Sequence, residues 1–221
     1  HYNKKHEINL LASRLSIIDL NYRSNQPIRD GNLTLVYNGE IYNYLELKSE
    51  LIKKGIKFKT KSDSEVLIKA YKVWGSKCVN KLEGMWAFAI YDEKKNILFI
   101  SRDRFGEKPL YFWKKNKGFY FASEIKGLST LANVSPNINQ NHLIRNLVNG
   151  YKSLYKSKET FFEEVEEVSP GTCLKINFMG KEISKRFWKP KFEVNEKLNY
   201  EDSVSMIKEK LVNAVKLRMR S

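Results

Sequence analysis

The chain has 221 residues, 42% of them hydrophobic and 29% charged, with a formal net charge of +15. That length can bury a sizeable core, as one large domain or one domain plus part of another, and the balance is that of a soluble globular protein. A membrane-spanning helix is excluded because no apolar run approaches the ~20 residues a span needs, and His1-Tyr2-Asn3-Lys4-Lys5-His6 is not a secretory signal.

The excess charge raises nucleic acid as a partner, but the lysines are spread along the chain, far outnumber the arginines and accompany no nucleic-acid-binding module. They read as a solvated face. Cys78 and Cys173 lie far apart without metal-type spacing, and histidine is scarce. Neither a disulfide framework nor a zinc site is supported, and a reducing cytoplasm fits best.

In chain order, two short strand-like runs, 9–12 and 15–20, flank Arg14, the one positive charge in that apolar neighbourhood. Pro27 and Asp30-Gly31-Asn32 then break the chain. Leu33 to Tyr37 is an apolar strand that stops at Asn38-Gly39, a common turn dipeptide because both residues tolerate positive φ. A helix follows over 44–54, with Leu47 and Leu51 on one face and Gly55 as its stop. Lys57 to Thr60 alternates like a strand. Ser62-Asp63-Ser64-Glu65 matches a capping box ahead of a helical run to Trp74. Cys78 to Leu82 is a short helix. Met85–Tyr91 with Ile97–Ser101, and Leu110–Trp113 with Phe119–Ala122, are hairpins separated by the charged loop 102–109. Further helices are expected from Ser123-Glu124 and over 142–148, and a last hairpin over 171–187. A polar linker, 189–197, leads to an amphipathic helix, 200–219. Hairpins apolar on both faces require sheets covered by helices.

Three polar features stand in apolar surroundings: Arg14, Asn38-Gly39-Glu40 and Asp63. Each has an ordinary explanation alone, as an ion pair, a turn or a helix-dipole partner. Together they would make an amino-acid clamp. A guanidinium suits an α-carboxylate, carboxylates suit an α-ammonium, and a side-chain amide beside a backbone amide suits a developing oxyanion.

The motifs Ser13–Leu20, Tyr37–Asn43, Ser62–Val66, Leu82–Ala89, Arg102–Tyr111 and Phe121–Lys126, in that order, resemble the glutamine-hydrolysing asparagine synthetases. The resemblance is to their class II glutaminase domain, covers most of residues 10–130 and is weak over 133–200. It implies an α+β, N-terminal-nucleophile hydrolase-type four-layer sandwich, with helices on two stacked antiparallel sheets. The domain would span residues 1–190 and lack its N-terminal segment. Residues 191–221 would be the linker and first helix of an ATP-dependent synthetase domain.

The resemblance also assigns roles. Arg14 would grip the glutamine α-carboxylate, with Leu15, Ser16, Ile17 and Ile18 lining the pocket. Glu40 and Asp63 would hold the α-amino group, and Asn38 and Gly39 would form the oxyanion hole. The family's nucleophile is an N-terminal cysteine, whereas this sequence opens on His1. ATP and Mg2+ would bind in the synthetase domain, whose pyrophosphate loop is not among these residues, and no metal or cofactor site is expected within them. The fragment alone is accordingly expected to be inactive. Aspartate is the implied acceptor, and a homo-oligomer is compatible with the sequence. Two alternatives stay open: an amidotransferase for another carboxylate, such as a sugar acid, and a non-catalytic descendant that binds glutamine or a partner.

Overall fold

The structure, a computed structural model, describes residues 2–3, 7–13, 18–151, 158–177, 181–194 and 197–220. Its central element is a six-stranded antiparallel sheet. The strands are β3 (Ile28–Asp30), β4 (Leu33–Ile41), β5 (Gly84–Asp92), β6 (Ile97–Arg102), β10 (Thr172–Asn177) and β11 (Glu182–Arg186), in the order β11-β10-β6-β5-β4-β3. A three-stranded sheet holds β7 (Tyr111–Lys115) between β8 (Gly118–Ala122) and β9 (Val165–Glu167). A two-stranded ladder pairs β1 (Tyr2–Asn3) with β2 (Ile8–Asn9).

Side-chain alternation explains the layering. Along a strand, successive side chains point to opposite faces, so a strand covered on both sides must be apolar throughout. Leu33, Leu35 and Tyr37 of β4 and Trp86, Phe88 and Ile90 of β5 face helices α1 (Tyr44–Lys53) and α2 (Asp63–Trp74). The intervening Val36, Ala87, Ala89 and Tyr91 face Phe112 and Leu110 of the second sheet's side. Beyond that sheet, Trp113 and Val165 pack on Leu128 of helix α3 (Ile125–Ala132). The result is four layers: helices, sheet, sheet, helix. This is the α+β sandwich expected from the sequence.

Several local expectations are corrected. Asn38-Gly39 is not a turn. Strand β4 runs straight through it to Ile41, with Gly39 opposite Trp86 and Glu40 opposite Met85. Lys57 to Thr60 is not a strand, because the amides of Lys59 and Thr60 donate to the Glu65 carboxylate instead of a neighbouring strand. Glu65 therefore does not complete a capping box, although Ser62 does cap α2 through the Ser64 amide at 3.2 Å. The described part of 10–20 is irregular beyond Asn9, and Asp19 caps the following turn by accepting from the Asn21 amide.

Helix α4 (Gln140–Asn149) follows α3, and helix α5 (Tyr200–Arg218) closes the chain. None of the residues of α5 is buried. It meets the sandwich through Arg218 over the Tyr42 ring and through Arg220, which donates to Glu46 at 2.7 Å. Among the described residues no helix is long and apolar enough to cross a membrane.

Candidate active site

A cleft of about 110 Å³ opens at the end of β4. It is many times the space one water needs. Asn38, Gly39, Glu40 and Asp63 all line it. Arg14, Leu15, Ser16 and Ile17 lie outside the described residues, but Ser13 and Ile18, on either side of them, both line the cleft.

The open edge of β4 explains why these groups converge. Trp86 donates its amide to the Asp103 carboxylate and accepts from the Asp103 amide, so its backbone faces away from β4. Antiparallel pairs alternate between bonded and non-bonded, so the facing residue Gly39 also turns its amide away from β5. Its neighbours two residues away do the same. Tyr37 donates to the Gln26 side-chain oxygen at 2.5 Å and accepts from the Gln26 amide nitrogen at 2.7 Å. Ile41 donates to Asp63 Oδ2 at 3.1 Å. Between them, the Gly39 amide is presented to the cleft.

Gly39 itself is required by the close approach of β5. With φ +152°, a Cβ there would stand 2.2 Å from the Met85 carbonyl oxygen. Beside it, the exposed Asn38 side chain reaches Ser123 Oγ at only 3.4 Å, leaving its amide available. Two donors on consecutive residues can serve one oxygen that gains charge during reaction.

The acidic side is built differently. Glu40 is 8% exposed, and its Oε1 is buried with no hydrogen-bond partner among the described residues. An unsatisfied buried carboxylate oxygen is costly, and one lining a cleft is suited to a cationic ligand group. Asp63, at the first turn of α2, is also buried. Its Oδ2 accepts from Tyr37 Oη at 2.8 Å and from Ile41 N, Oδ1 lies 3.5 Å from the Ser62 hydroxyl, and the Ser64 and Asp63 amides at the first turn of α2 also favour the charged carboxylate. Burial pushes the Asp63 carboxyl above its usual range, against the pull of those donors.

The remaining wall is the loop after β6. Asp103 accepts from the amides of Trp86, Phe105, Glu107 and Lys108, and Arg102 donates to the carbonyls of Gly106, Lys108 and Val168. The loop thereby sets Lys108 at the cleft, a cation with no ion-pair partner among the described residues. Sequence reasoning passed over Lys108, Gln26, Met85 and Ser64 as lining residues. Ser64, Met85 and Lys108 each lie within a quoted motif, Ser62–Val66, Leu82–Ala89 and Arg102–Tyr111, whereas Gln26 lies in none.

Neither cysteine takes part. Cys78 and Cys173 are buried in the helix-side core, and burial pushes both thiols up, Cys173 to about 11. Thiols so disposed are not nucleophiles near neutral pH.

Comparison with known proteins identifies the family of the chain. The model of a glutamine amidotransferase domain matches residues 1–188. A putative glutamine-hydrolysing asparagine synthetase of Methanocaldococcus jannaschii is 35% identical over all of this chain and 45% of its own length. An asparagine synthetase of Bacillus subtilis is 31% identical over 96% of this chain and 34% of its own. The chain thus spans less than half the length of these relatives. Among solved structures, the glutamine phosphoribosylpyrophosphate amidotransferase of B. subtilis superposes with a TM-score of 0.56 at 24% identity, over 77% of this chain and 33% of that one. That likeness bears on the fold. On the match over residues 1–188 the chain belongs to the glutamine amidotransferase domain family, and it is similar to the corresponding part of glutamine-hydrolysing asparagine synthetases.

Proposed function

We propose that this chain is the glutaminase half of an asparagine synthetase, binding glutamine and releasing its amide nitrogen as ammonia for ATP-dependent conversion of aspartate to asparagine. The observation that carries the reading is the buried Glu40 Oε1, without a hydrogen-bond partner among the described residues, in the same cleft as the Gly39 amide and the Asp63 carboxylate. One wall of the cleft suits an ammonium group and the strand edge suits an amide oxygen.

In this reading, Glu40 and Asp63 hold the α-ammonium and Arg14 takes the α-carboxylate, while Leu15 to Ile18 line the pocket. A thiolate attacks the side-chain amide carbon, and its oxygen gains negative charge between Asn38 Nδ2 and Gly39 N. Collapse expels ammonia and leaves a thioester that water hydrolyses to glutamate. The thiolate is that of an N-terminal cysteine, a role that the buried Cys78 and Cys173 do not fit. Residues 1–190 form the glutaminase domain, and 191–221 form a linker and the first helix of the synthetase domain. ATP and Mg2+ serve that second domain. Among the described residues no three metal-ligand side chains converge, and no step is assigned here to a metal.

The test is an amidation assay of the full-length protein with glutamine, ATP and magnesium, comparing aspartate with other carboxylates. Asparagine formation supports the reading, and glutamine hydrolysis without aspartate amidation refutes its acceptor part. A second reading, an amidotransferase with another acceptor, is favoured by the occurrence of the same fold in a phosphoribosylpyrophosphate amidotransferase. The cleft sees glutamine in both cases, and the acceptor lies elsewhere.

A further inference from the structure

We propose that Tyr37 is a positioning residue for ligand recognition, its buried hydroxyl fixing Asp63 so that the second carboxylate oxygen is left for an ammonium group in the cleft. The inference deepens the glutamine reading above and rests on it.

Tyr37 is anchored more firmly than a core tyrosine needs to be. Its backbone is bonded twice by the Gln26 side chain, and its ring lies in the helix-side core. The hydroxyl then reaches Asp63 Oδ2 at 2.8 Å, where the Ile41 amide also arrives at 3.1 Å. Two donors converge on one oxygen. The carboxylate plane is thereby fixed, while Oδ1 has the long Ser62 hydroxyl contact at 3.5 Å, and the Ser64 and Asp63 amides at the first turn of α2 add their pull on the carboxylate. Among the described residues, the groups that face Asp63 are Tyr37, Glu40 and the Ile41 amide from β4, Ser62 and Ser64 at the start of α2, and Lys108 across the cleft.

The hydroxyl also bears on the charge. Burial raises the Asp63 carboxyl, which favours the neutral acid, and the Tyr37 and Ile41 donors oppose it by stabilising the ionised form. Tyr37 is itself held protonated, first by burial and then by the Asp63 charge, so it is an obligate donor there. Phenylalanine at 37 would keep the ring and its packing and remove that donor only. Asp63 would then be less firmly aimed and would take up a proton at higher pH.

The test compares the chain with Tyr37→Phe by calorimetric binding of two probes, L-glutamine and 4-carbamoylbutanoate, which is glutamine without its amino group. Titrations run between about pH 5 and pH 8, to span the acid side. The expected result is about tenfold weaker binding of L-glutamine by the variant, the effect of one hydrogen bond to a charged group. Binding of 4-carbamoylbutanoate stays within about twofold of the parent, a shift too small to count as a lost contact. The loss of glutamine affinity on acidification also begins at higher pH in the variant. Unchanged glutamine binding overturns the inference and leaves the glutamine reading standing. Equal losses for both probes overturn it too, since Tyr37 would then support the whole pocket or the fold. Failure of the parent to bind L-glutamine removes the glutamine reading and this inference together.

Discussion

Gly39 and Gly84 sit two register positions apart on the β4–β5 ladder, and each occupies space that the other strand's carbonyl would deny to any side chain. A Cβ on Gly39 would lie 2.2 Å from the Met85 carbonyl oxygen, and one on Gly84 would lie 2.1 Å from that of Glu40. Both have φ +152°. Each residue secures the backbone of the other's neighbour, so the strand that carries the Gly39 amide is fixed from both sides. Gly84→Ala and Gly39→Ala are each expected to destabilise the fold by about 2–4 kcal/mol, from backbone strain plus the clash. The change should appear as a lower urea midpoint at an unchanged slope. Gly84 is not among the residues lining the cleft. Whatever affinity for glutamine Gly84→Ala loses should therefore be regained under conditions that restore the fold.

Asn38 presents the opposite case. Its side chain is exposed and its one polar contact among the described residues, to Ser123, is long. Asn38→Ala should change stability by less than about 0.5 kcal/mol. In the full-length protein it should lower glutamine hydrolysis by about two to three orders of magnitude, the usual effect of losing one oxyanion donor. Synthesis driven by free ammonia should persist. Parallel loss of both activities would show that Asn38 acts on something other than the glutamine amide.

Asp63→Asn should trade function for stability. Burial raises the Asp63 carboxyl above the ordinary 3.8, so the folded chain holds that proton more tightly than the unfolded chain does. The ionised carboxylate therefore weakens the fold above its folded-state titration, and this penalty disappears as pH falls below the unfolded value. Asparagine, which is uncharged, avoids the penalty and can still accept from Tyr37 and Ile41. The variant is expected to be more stable than the parent at neutral pH, with the advantage gone near pH 3. It should bind glutamine more weakly at neutral pH. Denaturant midpoints at both pH values check the sign.

The chain after the last hairpin should be separable. Phe187 stacks near Trp86 and Trp188 packs edge-on to Phe105, so the sandwich extends at least to residue 188. Beyond it, α5 buries none of its residues and touches the body through the exposed Arg218 and Arg220 contacts. Exposed pairs of this type contribute about 0–1 kcal/mol. A chain ending at Pro190 is expected to unfold within about 1 kcal/mol of the parent, as read by urea titration. A larger loss would mean that α5 is part of this domain.

The sequence was legible where local pattern and tertiary role coincide. The helix over Asp63–Trp74 announces itself by Ser62 at its start and Gly75 at its end, and Leu33 to Tyr37 is a strand by composition alone. Asn38-Gly39 was misread as a turn because the dipeptide's commonest use is a hairpin. Only the partner strand reveals that Gly39 is needed for close approach. Lys57 to Thr60 alternates like a strand, but nothing local shows that Glu65 takes its amides. The site residues drawn from the motif, Asn38, Gly39, Glu40 and Asp63, do meet in one cleft. Gln26 could not have been found, since a glutamine whose side chain replaces a strand leaves no periodic trace.

The Gln26 contact has a consequence for the open edge of β4. A bare strand edge is a template on which another chain can pair. Opposite Tyr37 that position is plugged by a carboxamide, which donates and accepts as a peptide would but offers no next residue. Two residues on, the Ile41 amide is occupied by Asp63. An intruding strand needs a succession of partners along the edge and, among the described residues, meets one open amide, at Gly39. The gap is too short to nucleate aggregation and wide enough for a single oxygen atom.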